Sequence, residues 1–79
     1  MHTKYLNILT PKEFIALLEM FDISLSPSQA TLLLRKLRNH SLILRYDHYA
    51  SLFYDEIRYL FPMTDKQFKK LISYLKKYQ

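Results

Sequence analysis

The sequence contains no glycine and no cysteine among its 79 residues. Glycine-rich phosphate loops and tight hairpin turns need residues without a Cβ, so both are excluded. The lack of cysteine excludes disulfide bonds and thiolate metal sites. No apolar run approaches the roughly 20 residues that a membrane-spanning helix requires, and we therefore expect no membrane association.

The remaining composition is typical of a small globular protein. Hydrophobic residues make up 49% of the chain and charged residues 24%, values near those of folded proteins. A chain of this length forms one core and not two, which predicts one domain over residues 1–79. Residues 1–5 lack the apolar segment and small-residue cleavage site of a secretion signal, and this predicts a cytoplasmic location.

Three segments share one helix-start signal, the capping box. In each, a hydroxyl side chain at the N-cap accepts a hydrogen bond from the amide of the third helical residue. The Glu or Gln side chain of that residue accepts one from the N-cap amide. Two of the boxes add proline at the first helical position, where its missing N–H would have no partner in any case. The N-caps are Thr10, Ser26 and Thr64.

Apolar residues at helical spacing follow each capping box, and each run predicts a stripe that faces the core. These three stripes are Phe14, Leu17, Leu18 and Phe21; Ala30, Leu33, Leu34 and Leu37; and Phe68, Leu71, Ile72 and Leu75. A fourth such run follows Asp47, which we predict as a further N-cap. We expect Glu56 to be partly buried beside the stripe of this third helix. The predicted stripe consists of Tyr49, Leu52, Phe53, Ile57 and Leu60.

These runs predict an all-α fold, a compact bundle of four short helices in a single helical domain. Between the second and third helices, residues 41–46 are apolar and β-branched, which predicts an extended linker that packs across the bundle. The helices are expected at residues 11–22, 27–39, 48–60 and 65–77.

The sequence shows no pattern typical of a catalytic or metal site. His2, His40 and His48 lack the spacing of histidine metal motifs. The adjacent carboxylates Asp55 and Glu56 would need a cleft to work as acid and base, and four short helices rarely form one. We therefore predict that the chain is not an enzyme and has no cofactor, no metal and no small-molecule substrate.

Positive charge, a net +5, is concentrated at the end of the second helix and along the fourth. Cations near helix C-termini complement the helix dipole, and lysines on a solvated face need no further role. The alternative is attraction to nucleic-acid phosphates, with Tyr74 and Tyr78 available for stacking on bases. The candidate contacts to nucleic acid or another anionic partner are Arg35, Lys36, Arg38, Arg45, Lys69, Lys70, Lys76 and Lys77.

Several apolar and aromatic residues fall outside the four stripes, which indicates a surface for a protein partner. Our leading hypothesis is a non-enzymatic helical interaction module that binds another protein or itself as a homo-oligomer. The candidate interface residues are Tyr54, Tyr59, Phe61 and Tyr74.

The alternative hypothesis is a nucleic-acid-binding protein with a helix-turn-helix built from the first two helices. The same segment resembles the helix–extended loop–helix of SAP-type DNA-binding modules. The second helix would present Ser28, Gln29, Thr31, Arg35 and Arg38 to nucleic acid.

The chain also carries a family resemblance, in residues 9–14 and 23–30 and then in Leu34, Leu37 and Arg38. In order and spacing they resemble the YqfT-like family of small uncharacterised helical proteins from Bacillus-type bacteria. The resemblance covers residues 9–77 and rests on N-caps and apolar spacing. It implies a small helical protein of a low-GC Gram-positive bacterium, and it brings no activity with it.

Overall fold

The structure is a computed structural model that describes residues 8–77. Four α-helices and one 3-10 helix follow each other in this part of the chain, and it contains no β-strand. The predicted all-α bundle is therefore confirmed. The helices are α1 (Pro11–Glu19), α2 (Pro27–Asn39), the 3-10 helix η1 (Ser41–Leu44), α3 (Asp47–Ile57) and α4 (Asp65–Lys76).

All three predicted capping boxes are present. At the start of α1, the Glu13 amide donates to Thr10 Oγ1 over 3.1 Å, and the Thr10 amide donates to Glu13 Oε1 over 2.9 Å. Each N-cap contributes about 1 kcal/mol to stability, and the reciprocal bond satisfies a second amide at the helix start. The equivalent pairs are Ser26 with Gln29 at α2 and Thr64 with Gln67 at α4.

Helix α1 ends three residues before the predicted position, in a Schellman motif. The Ile23 amide donates to the Leu18 carbonyl over 3.0 Å, and the Asp22 amide donates to the Glu19 carbonyl over 3.1 Å. Ile23 and Leu18 are both buried, as expected for the apolar pair that accompanies this motif. The motif requires a left-handed residue, and Asp22 takes that place with a φ of 60°.

Helix α3 differs from its prediction at both ends. Its N-cap is Tyr46, with no side-chain cap bond, so the prediction of Asp47 as N-cap was wrong. It ends at Ile57 and not at Leu60. Pro62 explains the early end, because proline disfavours helical backbone at the residue before it and its ring clashes with the carbonyl four residues earlier.

The predicted extended linker at residues 41–46 was also wrong, since Ser41–Leu44 forms a single 3-10 turn. An extended chain would direct neighbouring side chains to opposite faces. The turn instead allows Ile43 and Leu44 to be buried together, while Leu42 stays half exposed. The prediction that this segment packs across the bundle is confirmed, because η1 contacts α2, α3 and α4.

The core consists of apolar side chains from every element, and no polar or charged side chain is buried in residues 8–77. The predicted stripes of α2 and α4 are fully buried, and that of α1 is buried apart from a partly exposed Phe21. In α3 only Phe53 and Ile57 of the predicted stripe are buried. None of the helices described is long and apolar enough to cross a membrane.

Candidate interaction surfaces

The apolar groove is a depression of about 520 Å³ between the end of α2, η1 and α3. Three large apolar side chains remain half exposed there: Leu42 at 47%, Tyr49 at 45% and Leu52 at 49%. Tyr49, Leu52 and Glu56 have helical spacing and lie on a face of α3 next to its buried side. The groove is lined by Asn39, His40, Leu42, Ile43, Tyr49, Leu52, Phe53 and Glu56.

His40 and Glu56 supply polar groups on the two walls of this groove. His40 Nδ1 lies 2.8 Å from the Lys36 carbonyl. Because a carbonyl oxygen only accepts, Nδ1 carries the proton, and Nε2 keeps the ring's second hydrogen-bonding site. Glu56 is exposed, so its predicted partial burial was wrong. It shares the outer face of α3 with Leu52 and not the core face with Phe53.

The basic face is the second surface, a shallow depression of about 480 Å³ along α4. Lys66, Lys70, Ser73 and Lys77 repeat at i, i+4, i+7 and i+11, so they form one line along the helix. Lys66 was absent from the predicted contacts, although its spacing to Lys70 could have indicated it. The other residues lining the basic face are Phe21, Asp65, Lys69 and Tyr74.

Two aromatic rings border the basic face. Phe21 follows α1 and Tyr74 lies on α4, and both are partly exposed. Their ring centroids are 5.8 Å apart in an edge-to-face arrangement, a geometry that aromatic pairs favour. The tertiary fold therefore brings an aromatic pair to the edge of a row of lysines.

The structure distributes the predicted basic contacts over several elements. It brings Lys69, Lys70 and Lys77 together on the basic face. Arg35 and Lys36 lie on α2, and Arg45 follows η1.

Three of the predicted basic contacts already have partners within the chain. Arg38 Nη2 donates to the Leu9 carbonyl over 2.6 Å. Lys69 pairs with Asp65 over 3.0 Å, and Lys76 pairs with Asp47 over 2.7 Å. The hydrogen bond and the charge of Lys76 lower the pKa of Asp47.

The predicted aromatic interface is not one surface. Tyr59 is exposed, whereas Phe61 is buried in the core, so Phe61 cannot contact a partner. After α3 the Phe61 amide donates to the Ile57 carbonyl over 3.2 Å, and this turn directs Phe61 inwards. Tyr54 is partly buried, with its hydroxyl donating to the Met63 carbonyl over 3.0 Å. Tyr74 belongs to the basic face.

Arg58 holds the exposed Tyr59 ring. Arg58 Nη2 donates to the Tyr59 hydroxyl over 2.7 Å, and the guanidinium carbon lies 4.8 Å from the ring centroid. This hydrogen bond raises the pKa of Arg58.

The residues predicted for a helix-turn-helix contact are largely engaged within the chain. Gln29 Oε1 accepts from the Ser26 amide over 3.0 Å, and the Thr31 hydroxyl donates to the Pro27 carbonyl over 2.8 Å. With Arg38 bonded to Leu9, three of the five predicted side chains on α2 already have intramolecular partners.

Within residues 8–77, no group of three or more histidine, aspartate or glutamate side chains is placed to hold a metal ion. His2 and Tyr78, considered for metal binding and base stacking, lie outside the described residues. Comparison with protein-family models, curated proteins and solved structures finds no match to the chain. The resemblance to the YqfT-like family stays a prediction.

Proposed function

We propose that the chain is a non-enzymatic helical interaction module that binds a second copy of itself through the apolar groove. The observation that carries the proposal is the half exposure of Leu42, Tyr49 and Leu52 on one groove. Contiguous exposed apolar patches mark interaction sites more often than isolated apolar residues do. Covering these three side chains would remove further apolar area from water, which favours association.

The polar residues of the groove favour a second copy as the occupant. In a two-fold interface the same patch meets itself, so a residue on one wall faces the opposite wall of the other copy. His40 is the C-cap of α2 and borders the groove there, whereas Glu56 borders it from α3. A two-fold arrangement centred on the apolar side chains would pair His40 of one copy with Glu56 of the other.

Sedimentation velocity over a wide range of protein concentration tests the proposal. We expect the wild-type protein to move from monomer to dimer as the concentration rises, and Leu52→Asp to remain monomeric because it places a charge in the groove. Leu60→Asp is the matched control, since Leu60 is 51% exposed but does not line the groove. A wild-type protein that stays monomeric contradicts the proposal, as does a Leu52→Asp variant that dimerises like the control.

A charge exchange tests the two-fold geometry. His40→Asp should weaken the dimer because it places a second carboxylate opposite that of the other copy's Glu56. Adding Glu56→Lys to that variant should restore dimerisation, because the introduced carboxylate would then face an ammonium group. A double variant that is no tighter than His40→Asp alone would show that these walls do not meet.

A further inference from the structure

The outer side of α4 carries a row of lysines with no acidic residue in line with it. Lys66, Lys70 and Lys77 lie opposite the buried side of the helix, and the row extends over about 16 Å at the rise of an α-helix. Among residues 8–77, none of these three lysines forms an ion pair. Within the described part of the chain, the one carboxylate that lines the basic face is Asp65, and it is paired with Lys69. Three ammonium groups are therefore available to an anionic ligand.

We propose that the basic face binds single-stranded nucleic acid. The lysines would contact successive phosphates, and an unpaired base would stack against the partly exposed aromatic pair of Phe21 and Tyr74. Lysines beside accessible aromatic rings are the combination by which proteins bind single strands without sequence preference. A row of lysines alone is a common solvated face, so the aromatic pair is the feature that points to bases.

The same residues favour a single strand over a duplex. In a duplex the bases are stacked on each other, and their flat faces cannot reach Phe21 or Tyr74. Specific readout of a duplex combines lysine or arginine for guanine with asparagine or glutamine for adenine in the major groove. The exposed line of α4 offers only lysines and Ser73. On α2, Gln29 and Arg38 bond within the chain.

Fluorescence anisotropy with a labelled oligothymidylate, titrated at several salt concentrations, tests this proposal. Three phosphate contacts predict that log K falls against log salt with a slope of about −2, since each contact contributes about 0.7 for a single strand. Replacing Lys66, Lys70 and Lys77 together by glutamine should abolish measurable binding at low salt. The matched control replaces Lys12, Arg35 and Arg45 by glutamine, which removes the same charge from other elements and should leave most of the binding.

A Phe21→Leu variant tests the stacking contribution, with circular dichroism to verify its helical content. Loss of one base–aromatic contact is worth roughly 1 kcal/mol or more, about a fivefold weaker association. Because Phe21 also packs on the core, the glutamine variants of the exposed lysines provide the test that does not depend on core packing. Equal losses in the lysine variant and its control would overturn the proposal, because net charge would then explain the binding.

Competition by two other polyanions, a duplex and polyglutamate, shows which class of ligand the basic face binds. A duplex of the same length and polyglutamate should each displace the labelled strand less well than an unlabelled single strand. Displacement by polyglutamate at the same charge concentration would assign the basic face to acidic proteins and overturn the proposal. Leu52→Asp, the groove variant, should bind the single strand as the wild-type protein does at concentrations where both are monomeric, so this proposal and the dimer proposal can fail separately.

Discussion

Asp22 adopts a left-handed conformation that glycine usually occupies, in a chain that has no glycine. A residue with a Cβ is strained there, although aspartate and asparagine tolerate the conformation better than most residues. The Asp22 carboxylate also lies near the C-terminus of α1, where the helix dipole disfavours negative charge. The end of α1 is therefore a position at which the native residue is not the most stable one.

We predict that Asp22→Gly stabilises the protein. Relief of backbone strain and removal of the carboxylate should outweigh the greater freedom of glycine in the unfolded chain, with a net gain of about 0.5–1 kcal/mol. For a domain of this size this raises Tm by roughly 2–8 °C, measurable by calorimetry. Asp22→Ala is the control, and it should be less stable than Asp22→Gly because alanine keeps the Cβ.

Gln67 takes part in two structural features at once. Its Oε1 accepts from the Thr64 amide over 2.9 Å, which completes the capping box of α4. Its Nε2 donates to the carbonyls of Asp22 over 3.0 Å and of Phe21 over 3.3 Å. Gln67 therefore connects the start of α4 to the end of α1, and a glutamate could perform only the first of these tasks.

We predict that Gln67→Glu destabilises the protein by about 1–2 kcal/mol, because the carboxylate cannot donate to two carbonyl oxygens and faces their partial negative charge. Gln29→Glu is the matched control at the same position of the α2 capping box. There the charge lies at a helix N-terminus without carbonyl partners from α1, and stability should stay the same or rise slightly. Urea denaturation of both variants measures the difference, and equal stabilities would contradict a role of the Nε2 bonds.

Among the helices, an ion pair links the N-terminal end of α3 to the C-terminal end of α4. Asp47 is the first residue of α3 and Lys76 the last of α4. Each charge complements the dipole of its own helix, and the two side chains form a 2.7 Å ion pair. The carboxylate that was predicted to cap α3 thus contacts a different helix instead.

We predict a pH dependence from this pair. Lys76 lowers the pKa of Asp47 below its unfolded value, so the pair stabilises the fold above the unfolded pKa of about 3.9. This contribution is lost as the pH falls through the lower, folded pKa. In an NMR titration, Lys76→Met should raise the pKa of Asp47 towards its ordinary value. Lys77→Met, which removes the same charge next to it, should change this pKa far less, and equal shifts would contradict the pairing.

At the scale of the whole molecule, two surfaces of different chemistry lie on separate helices. The outer face of α3 contributes apolar side chains to the apolar groove, and the outer face of α4 carries the lysines. No groove residue belongs to the basic face, so one chain can use both surfaces at once. If both proposals hold, a dimer would carry two basic faces, and a strand long enough to reach both would bind the second at a raised effective concentration.

Helix starts were predictable from the sequence because capping is local. The hydroxyl, the proline and the Glu or Gln of each box lie within four residues, so α1, α2 and α4 begin where predicted. The end of α1 was predicted too late because no glycine marks it, and Asp22 does not stand out in the sequence as a left-handed residue.

The candidate surfaces were only partly predictable. The apolar residues of α3 can form two different stripes, and only packing against η1 and α4 decided that Phe53 and Ile57 face inwards. That choice left Tyr49 and Leu52 outside, and the turn before Pro62 buried Phe61. The lysines of α4 were visible in the sequence, but Phe21 reaches them from a different part of the chain.

The helical character of the chain and the starts of three helices are readable from the sequence, because it offers capping boxes and helical apolar spacing but no glycine. The bonds that Gln67 and Asp47 form beyond their own helices, and the set of apolar side chains left exposed, follow from how the helices pack. The two kinds of feature differ in how far apart along the chain the interacting residues lie. Capping acts between residues three apart. The exposure of an apolar side chain depends instead on which elements, distant in the sequence, pack against its helix.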